Sequence, residues 1–135
     1  MVNFSCVIRK TKLLQKMEIK EISKKLEALA TTSRLKILCL LSIRAFCVCE
    51  LVEYLKLSQP TLTRHLQILE EAGFVKAIRH KFYTFYSLNY KDPLNELLFK
   101  TLLPFLQNTS EYKELNELYL KKGSNYPLPP ELSEV

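Results

Sequence analysis

Two cysteines stand one residue apart in the stretch CVCEL, which spans Cys47 to Leu51. Ionised thiols bind soft, thiophilic ions, and the residues after the pair show a helical pattern. A helix N-terminus lowers the pKa of a nearby thiol, so we expect Cys47 and Cys49 to be partly ionised near neutral pH. Residues two apart on a regular helix point about 200° apart, so both sulfurs reach one ion only if the first turn distorts. The alternative is that both side chains simply pack beneath the helix.

The stretch that follows, LSQPTLTRHLQILEEAGF, completes a predicted helix-turn-helix. A first short helix is expected over Glu50–Lys56, and a second from Gln59 or Pro60 to the residue before Gly73. Ser58 is the expected N-cap of the second helix, and a proline in the first turn costs little because its missing N–H has no partner there.

The second helix of this motif has two faces of different polarity. One narrow face carries the leucines Leu62, Leu66 and Leu69, and the opposite face carries Pro60, Thr63, Arg64 and Gln67. A helix of this kind can bury its leucines in a core and lay its polar side chains into a DNA major groove.

Helical patterns flank the motif on both sides. The expected helices run from Lys12 to Ala30, through the run TTSRLKILCLLSI, from Asp92 until Pro104 kinks or ends it, and from Thr109 or Ser110 to Lys122. The first has an apolar stripe at Ile19, Ile22, Leu26 and Leu29. The second can be capped by Thr31, Thr32 or Ser33, and Cys39 within it is expected to be a small buried residue.

A hairpin is predicted by the alternating stretch FVKAIRHKFYTFYSL. Its basic tip contains Arg79, His80 and Lys81, which can contact phosphates or a minor groove. The turn lacks Asn-Gly or Gly-Gly, so the register stays open. The fold class expected from all these patterns is mainly α with a small β-hairpin, a winged helix-turn-helix.

Composition limits the class of protein and its partners. A chain of 135 residues suits a single domain with its own core. The formal net charge is +6, and residues 1–44 alone carry ten Lys or Arg against three Glu. Two explanations of this asymmetry are about equally favoured: the basic half binds an anionic partner such as nucleic acid, or its charges simply lie on a helix face that contacts solvent. Because no apolar signal-peptide core or membrane span is evident, we expect a cytoplasmic protein whose four unevenly spaced cysteines stay reduced.

The order helix, helix, helix-turn-helix, hairpin, helix resembles the ArsR/SmtB family of winged-helix repressors that respond to metals and metalloids. The resemblance covers roughly residues 20 to 105. Its most specific parts are CVCEL, similar to the thiol motif of arsenic- and cadmium- or lead-sensing members, and LSQPTLTRHLQILEEAGFV, similar to their recognition helix and its exit.

This resemblance implies a homodimer that binds double-stranded operator DNA. The first and last helices would form the dimer, and two recognition helices would read an inverted repeat. The chain is then divided into an N-terminal extension, 1–11, a winged helix-turn-helix domain with dimerisation helices, 12–122, and a flexible C-terminal tail, 123–135.

Specific DNA contacts are also implied. Base edges or nearby phosphates are expected to meet Gln59, Thr61, Thr63 and Arg64. His65 matches a family position that often contacts DNA, but it flanks the leucine face, so packing and phosphate contact are equally open. Arg79 and Lys81 are expected to contact phosphates.

The resemblance further implies a metal site. Arsenic sensors place a third thiol one turn after the pair, where this chain has Val52. Cys6 is the natural replacement, because cadmium- and lead-sensing relatives use N-terminal cysteines. The implied ligands are therefore Cys47, Cys49 and Cys6, with arsenite or antimonite as the inducer, lead or cadmium possible, and no organic cofactor. The family's other sensory site uses histidine on the last helix, and no histidine follows His80.

Two other functions stay open. A redox or sulfur-species sensor would join Cys47 or Cys49 to Cys6 or Cys39 as a disulfide or persulfide. A constitutive DNA-binding protein would leave its thiols inert. An enzyme is not expected, because the chain has two histidines, two glycines and no acid-base or phosphate-loop motif.

Overall fold

A computed structural model describes residues 16–124, 126 and 128–132, and this part of the chain contains six helices and three strands. The helices are α1 (Ile19–Leu29), α2 (Thr32–Ile43), α3 (Val48–Leu55), α4 (Gln59–Glu71), α5 (Pro93–Gln107) and α6 (Ser110–Lys122). The strands are β1 (Phe46–Cys47), β2 (Val75–His80) and β3 (Tyr83–Leu88). This is the predicted winged helix-turn-helix, with α3 and α4 as the motif and β2 and β3 as the wing. No helix in these ranges is long and apolar enough to cross a membrane.

The helix starts confirm the predicted N-caps. The Thr31 hydroxyl accepts from the Arg34 N–H at 3.3 Å at the start of α2, and the Ser58 hydroxyl accepts from the Thr61 N–H at 3.4 Å at the start of α4. Asp92 caps α5 in the same way, with 2.9 Å between its Oδ1 and the Leu94 nitrogen. Local sequence therefore determines where these helices begin.

Three predicted helix boundaries need correction. Helix α1 starts at Ile19 rather than Lys12; residues 16–18 are not helical, and residues 12–15 lie outside the described ranges. Helix α3 starts at Val48, two residues earlier than expected. Helix α5 continues through Pro104 to Gln107, because a proline removes one backbone hydrogen bond but its fixed φ remains compatible with a helix.

The sheet has one strand more than the predicted hairpin. Its order is β1-β3-β2, and both pairs are antiparallel. In the wing, His80 pairs with Tyr83, so Lys81 and Phe82 form a two-residue turn in which Lys81 has a positive φ of 57°. Strand β1 was missed because two residues are too short to show a period. Its Cys47 pairs with Phe85 of β3.

The core holds the recognition helix against the other helices. The three leucines of its predicted apolar face are completely buried, and they pack with residues of α2 and with aromatic rings at the sheet and α5. The largest of these neighbours are Ile37, Leu38, Leu40, Phe46, Phe74 and Phe99. The opposite face of α4 must consequently point away from the core.

A buried lysine links three helices. The Lys25 ammonium of α1 donates to the Ala72 carbonyl oxygen and to Asn95 Oδ1, both at 2.8 Å, and lies 3.1 Å from the Asp92 carboxylate. It also lies 4.8 Å from the centre of the Phe74 ring. Burial opposes ionisation of Asp92, but its contacts with Lys25 and the Leu94 N–H prevail and lower the Asp92 pKa. Lys25 thus fixes α1 to the end of α4 and the start of α5.

Replacing Lys25 with methionine is expected to lower the free energy of unfolding by about 2 to 3 kcal/mol. The variant keeps the side-chain length but leaves Asn95 Oδ1 and the Ala72 carbonyl without their charged donor. Urea unfolding at one fixed protein concentration measures the change. The control is Lys24→Met at an exposed site. If both variants stay within about 0.5 kcal/mol of the wild type, Lys25 is not the link described above.

Candidate functional site

The outer face of α4 presents polar side chains to the surface. Gln59, Thr61 and Arg64 are exposed, and Thr63 is half-buried. An open recess along this face is lined by Gln59, Pro60, Thr63, Arg64 and Gln67. The structure therefore brings together the polar residues that the sequence places opposite the leucines. Amide, hydroxyl and guanidinium groups are suited to hydrogen bonding with base edges and phosphates.

His65 is held against the protein by a residue that the sequence analysis missed. Its Nδ1 lies 3.1 Å from a guanidinium nitrogen of Arg34, so the neutral ring accepts a hydrogen bond there. Burial, followed by the positive charges of Arg34 and Arg64, lowers the pKa of His65. The ring is half-buried and is uncharged at neutral pH. The structure thus shows the packing contact that was one of its two expected roles.

Arg34 also connects α2 to the end of α1. The guanidinium donates to the Ala28 carbonyl oxygen at 2.6 Å and to the Glu27 carbonyl oxygen at 3.4 Å, and the residue is buried. A buried arginine needs several acceptors, and these carbonyls at a helix C-terminus supply them. The sequence signal was an arginine in the first turn of a mostly apolar helix. It is easily mistaken for a solvated charge.

The wing carries the second group of predicted DNA contacts. Arg79 lies in β2 and Lys81 in the turn, and both side chains are exposed. Phe82, the other turn residue, is 98% exposed. The wing tip is therefore basic, as expected, with one apolar ring beside the charges.

The thiol pair lies where β1 passes into α3. Cys47 is the last residue of β1 and the N-cap of α3, with φ −72° and ψ 150°, whereas Cys49 lies in the first turn of the helix. Cys47 is only 1% exposed and Cys49 is exposed. The expected constraint, that two sulfurs on a regular helical turn cannot reach one ion, does not apply in that form here, because Cys47 has extended backbone. The Glu50 carboxylate accepts from the Cys47 N–H at 3.2 Å, which completes the start of the helix.

The ionisation expected for Cys47 also needs correction. Burial raises the pKa of the Cys47 thiol to about 11, although backbone N–H groups of Cys49 and Glu50 act in the opposite direction. The cost of removing a thiolate from water exceeds the help from the helix N-terminus at this position. Cys47 is therefore a protonated thiol at neutral pH.

The other two cysteines differ from this pair. Cys39 is 2% exposed in the core, as predicted, and burial together with the charge of Glu111 raises its pKa to about 11. Cys6, the expected third ligand, lies outside the described residues. Within those residues there is no group of three or more His, Cys, Asp or Glu side chains that could hold a metal ion. Among the described residues, the candidate ligands at this site are therefore the sulfurs of Cys47 and Cys49.

Comparison with known proteins decides the family. Residues 31–77 match the family described as bacterial regulatory protein, arsR family. The arsenical resistance operon repressor of Staphylococcus xylosus is 38% identical over 84 residues, which cover 61% of this chain and 81% of that protein. The chain belongs to the arsR family. Another relative, the arsenical resistance operon repressor of Staphylococcus aureus, is 39% identical over 55% of this chain and 71% of its own length.

A solved structure of a related protein agrees with this assignment. Reduced HlyU from Vibrio cholerae N16961 is 33% identical, with a TM-score of 0.52 over 62% of this chain and 90% of its own. The matched family segment runs from the N-cap of α2 into β2, so it contains both the thiol pair and the complete recognition helix. This arsR-family chain is a winged-helix, DNA-binding transcriptional regulator and not an enzyme.

Proposed function

We propose that this protein represses transcription as a homodimer and leaves its operator when arsenite, or a similar thiophilic species, binds Cys47 and Cys49. The observation that carries the proposal is the position of Cys47. A sulfur able to bind such a ligand is also the N-cap of the first motif helix and a partner of the wing strand. The names of the two staphylococcal relatives, both repressors of arsenical resistance operons, support arsenite as the inducer.

Exposed apolar surface on two helices supports the homodimer. On α1, Ile19 is 85% and Leu26 52% exposed, and on α5, Phe105 is 74% exposed. Side chains of this size and exposure on neighbouring apolar positions are typical of a surface that pairs with a partner. Two-fold pairing sets two copies of α4 about one DNA turn apart, which requires an inverted repeat in the operator.

We assign DNA contact to the outer face of α4 and to the wing. Gln59, Thr61, Thr63 and Arg64 meet base edges or adjacent phosphates, while Arg79 and Lys81 contact phosphates. His65 contributes by fixing α4 through Arg34, and its uncharged ring adds no electrostatic attraction to DNA.

Replacing Arg64 with alanine is expected to weaken operator binding by about 1 to 3 kcal/mol, because the guanidinium makes a bidentate contact with a base. Fluorescence anisotropy with a duplex selected from a random pool by the wild-type protein measures the affinity. Lys113→Ala, which removes one exposed positive charge from α6, is the matched control. Arg64 has no role in recognition if the two variants bind equally well.

Capture of arsenite at this pair suits the protonated state of Cys47. When a thiol replaces a hydroxyl of arsenous acid, an As–S bond forms and the thiol proton leaves with that hydroxyl as water. A divalent cation instead requires the proton to go to solvent, which is unfavourable for a thiol with a pKa of about 11. This difference favours arsenite or antimonite over lead or cadmium. Trivalent arsenic takes three sulfurs, and we assign the third to Cys6.

Bonding at Cys47 is coupled to DNA release through the start of α3. A bond to arsenic draws the sulfur away from the Glu50 N–H, and the first turn loses its capping box. The same residue pairs with Phe85 in the wing, so the first helix of the motif and the wing are disturbed at once. For operator affinity to fall a hundredfold, arsenite must bind the form of the protein that cannot bind DNA more tightly than the DNA-binding form, by only about 2.7 kcal/mol.

Cys47→Ser is expected to separate DNA binding from the response. Serine is a favoured N-cap, so operator affinity should stay within about threefold of the wild type. Without the sulfur, the arsenite concentration that releases half of the DNA should rise by at least about tenfold. An anisotropy titration with arsenite measures both quantities. Cys39→Ala, at the core cysteine, is the control and should respond like the wild type, while Cys6→Ser should respond more weakly. An unchanged midpoint in Cys47→Ser would exclude Cys47 as a ligand.

One observation favours a second candidate, a thiol-redox regulator. The similar Vibrio cholerae structure is described as reduced HlyU. In this chain Cys47 and Cys49 are free thiols next to each other. Counting free thiols before and after mild oxidation, with operator affinity measured on the same samples, distinguishes this candidate from arsenite capture.

A further inference from the structure

The chain after α6 returns to the thiol pair and covers Cys47. We use the name C-terminal strap for Gly123, Ser124, Tyr126 and residues 128–132. Leu132 is only 4% exposed and is packed in one cluster with Ala45, Cys47 and Phe85. Tyr126 and Leu128 pack against the same cluster. This small apolar cluster is separate from the main core that contains Cys39.

Hydrogen bonds hold the strap to both ends of α3 and to Arg44, which lies between α2 and β1. The Tyr54 hydroxyl donates to the Gly123 carbonyl oxygen at 3.0 Å, and the Ser124 hydroxyl donates to the Glu50 carboxylate. The Arg44 guanidinium donates to the Tyr126 carbonyl oxygen at 3.4 Å. Glu50 is the carboxylate that accepts from the Cys47 N–H, so the strap is bonded to the residue that completes the cap.

Further contacts orient the strap over the sheet. The Tyr126 ring meets the Tyr83 ring of β3 edge-on, with 5.0 Å between ring centres. The backbone N–H of Tyr126 donates to the Ser124 hydroxyl oxygen at 3.2 Å, which closes a tight turn. The tail sequence NYPLPPEL contains three prolines, and proline reduces the conformational entropy that is lost when an extended segment is ordered. The strap can therefore keep a fixed position over β1 with few contacts.

We propose that the C-terminal strap is a gate that shields Cys47 and must be displaced before a soft ligand can bind both thiols. The contrast within the pair supports this, since Cys49 is exposed and Cys47 is covered by the cluster that contains Leu132. The proposal rests on the function proposed above, because it concerns access to the same thiols. Cys49 receives the ligand first, and release of the strap then uncovers Cys47. The strap thereby sets how much ligand is needed for a response.

Cysteine alkylation in the intact, full-length protein tests the gate. The protein is treated with N-ethylmaleimide under native conditions, and mass spectrometry of peptides gives the rate for each cysteine. Leu132→Ser should speed alkylation of Cys47 by roughly tenfold or more, because labelling proceeds through local opening. The rate at Cys49 should not change. Leu120→Ser, at a 73% exposed position on α6, is the matched control and should leave all rates unchanged.

Cys39 reports the state of the main core in the same experiment. Release of the strap leaves Cys39 slow, whereas global unfolding exposes it together with Cys47. If Leu132→Ser speeds both cysteines, Ser124→Ala decides, because it removes the bond to Glu50 without altering either apolar cluster. Faster Cys47 and slow Cys39 in either variant supports the gate. The gate is overturned if Cys47 is alkylated no faster than in the wild type in every variant whose Cys39 stays slow.

Arsenite-induced DNA release by the same variants separates this proposal from the function on which it rests. Both proposals are supported if the variants with faster alkylation of Cys47 release DNA at lower arsenite concentrations than the wild type does. If Cys47 becomes accessible and no form of the protein responds to arsenite, the gate stands and the arsenite function fails. If the wild type responds and loss of the strap contacts changes neither labelling nor response, the gate fails and the function stands.

Discussion

The turn at Cys47 is the constraint on which the relation between the thiol pair and the DNA-binding elements depends. One residue ends strand β1, caps helix α3 and pairs with the wing strand β3. An N-cap must have extended backbone while its side chain faces the first turn of the helix, and both conditions hold here. A new bond to this sulfur competes with the cap directly. No long pathway through the protein is needed to reach the helix-turn-helix.

Two buried cations, Lys25 and Arg34, join the other helices to the helix-turn-helix motif. Lys25 joins α1 to the end of α4 and the start of α5, and Arg34 joins α1 and α2 to His65 of α4. Charged groups in such positions are held by several acceptors at fixed distances, so they permit fewer alternative packings than apolar contacts do. The helices proposed to form the dimer are therefore linked rigidly to the recognition helix. In the proposed dimer, a change in the position of α4 in one protomer would alter the spacing between the two copies of α4.

Local signals explain why much of the fold was predictable. The caps at Ser58 and Asp92 and the leucine face of α4 depend on residues within one or two turns and were predicted, and Thr31 is one of the three caps that stayed open for α2. The pair Cys47 and Cys49 was found from its spacing. Its environment was not, because Cys47 packs with Phe85 and Leu132, which are distant in sequence. Lys25 and Arg34 were missed for the same reason: their acceptors lie in other helices or at helix ends, and only the folded chain brings them together.

Amide hydrogen exchange at the start of α3 tests the central claim most directly. Exchange would be followed residue by residue by NMR on the full-length protein, with and without saturating arsenite. The account predicts that the amides of Cys47, Cys49 and Glu50 lose protection when arsenite is bound, while Leu66 in the buried face of α4 keeps it. Unchanged protection of those three amides at an arsenite concentration that releases the DNA would contradict it.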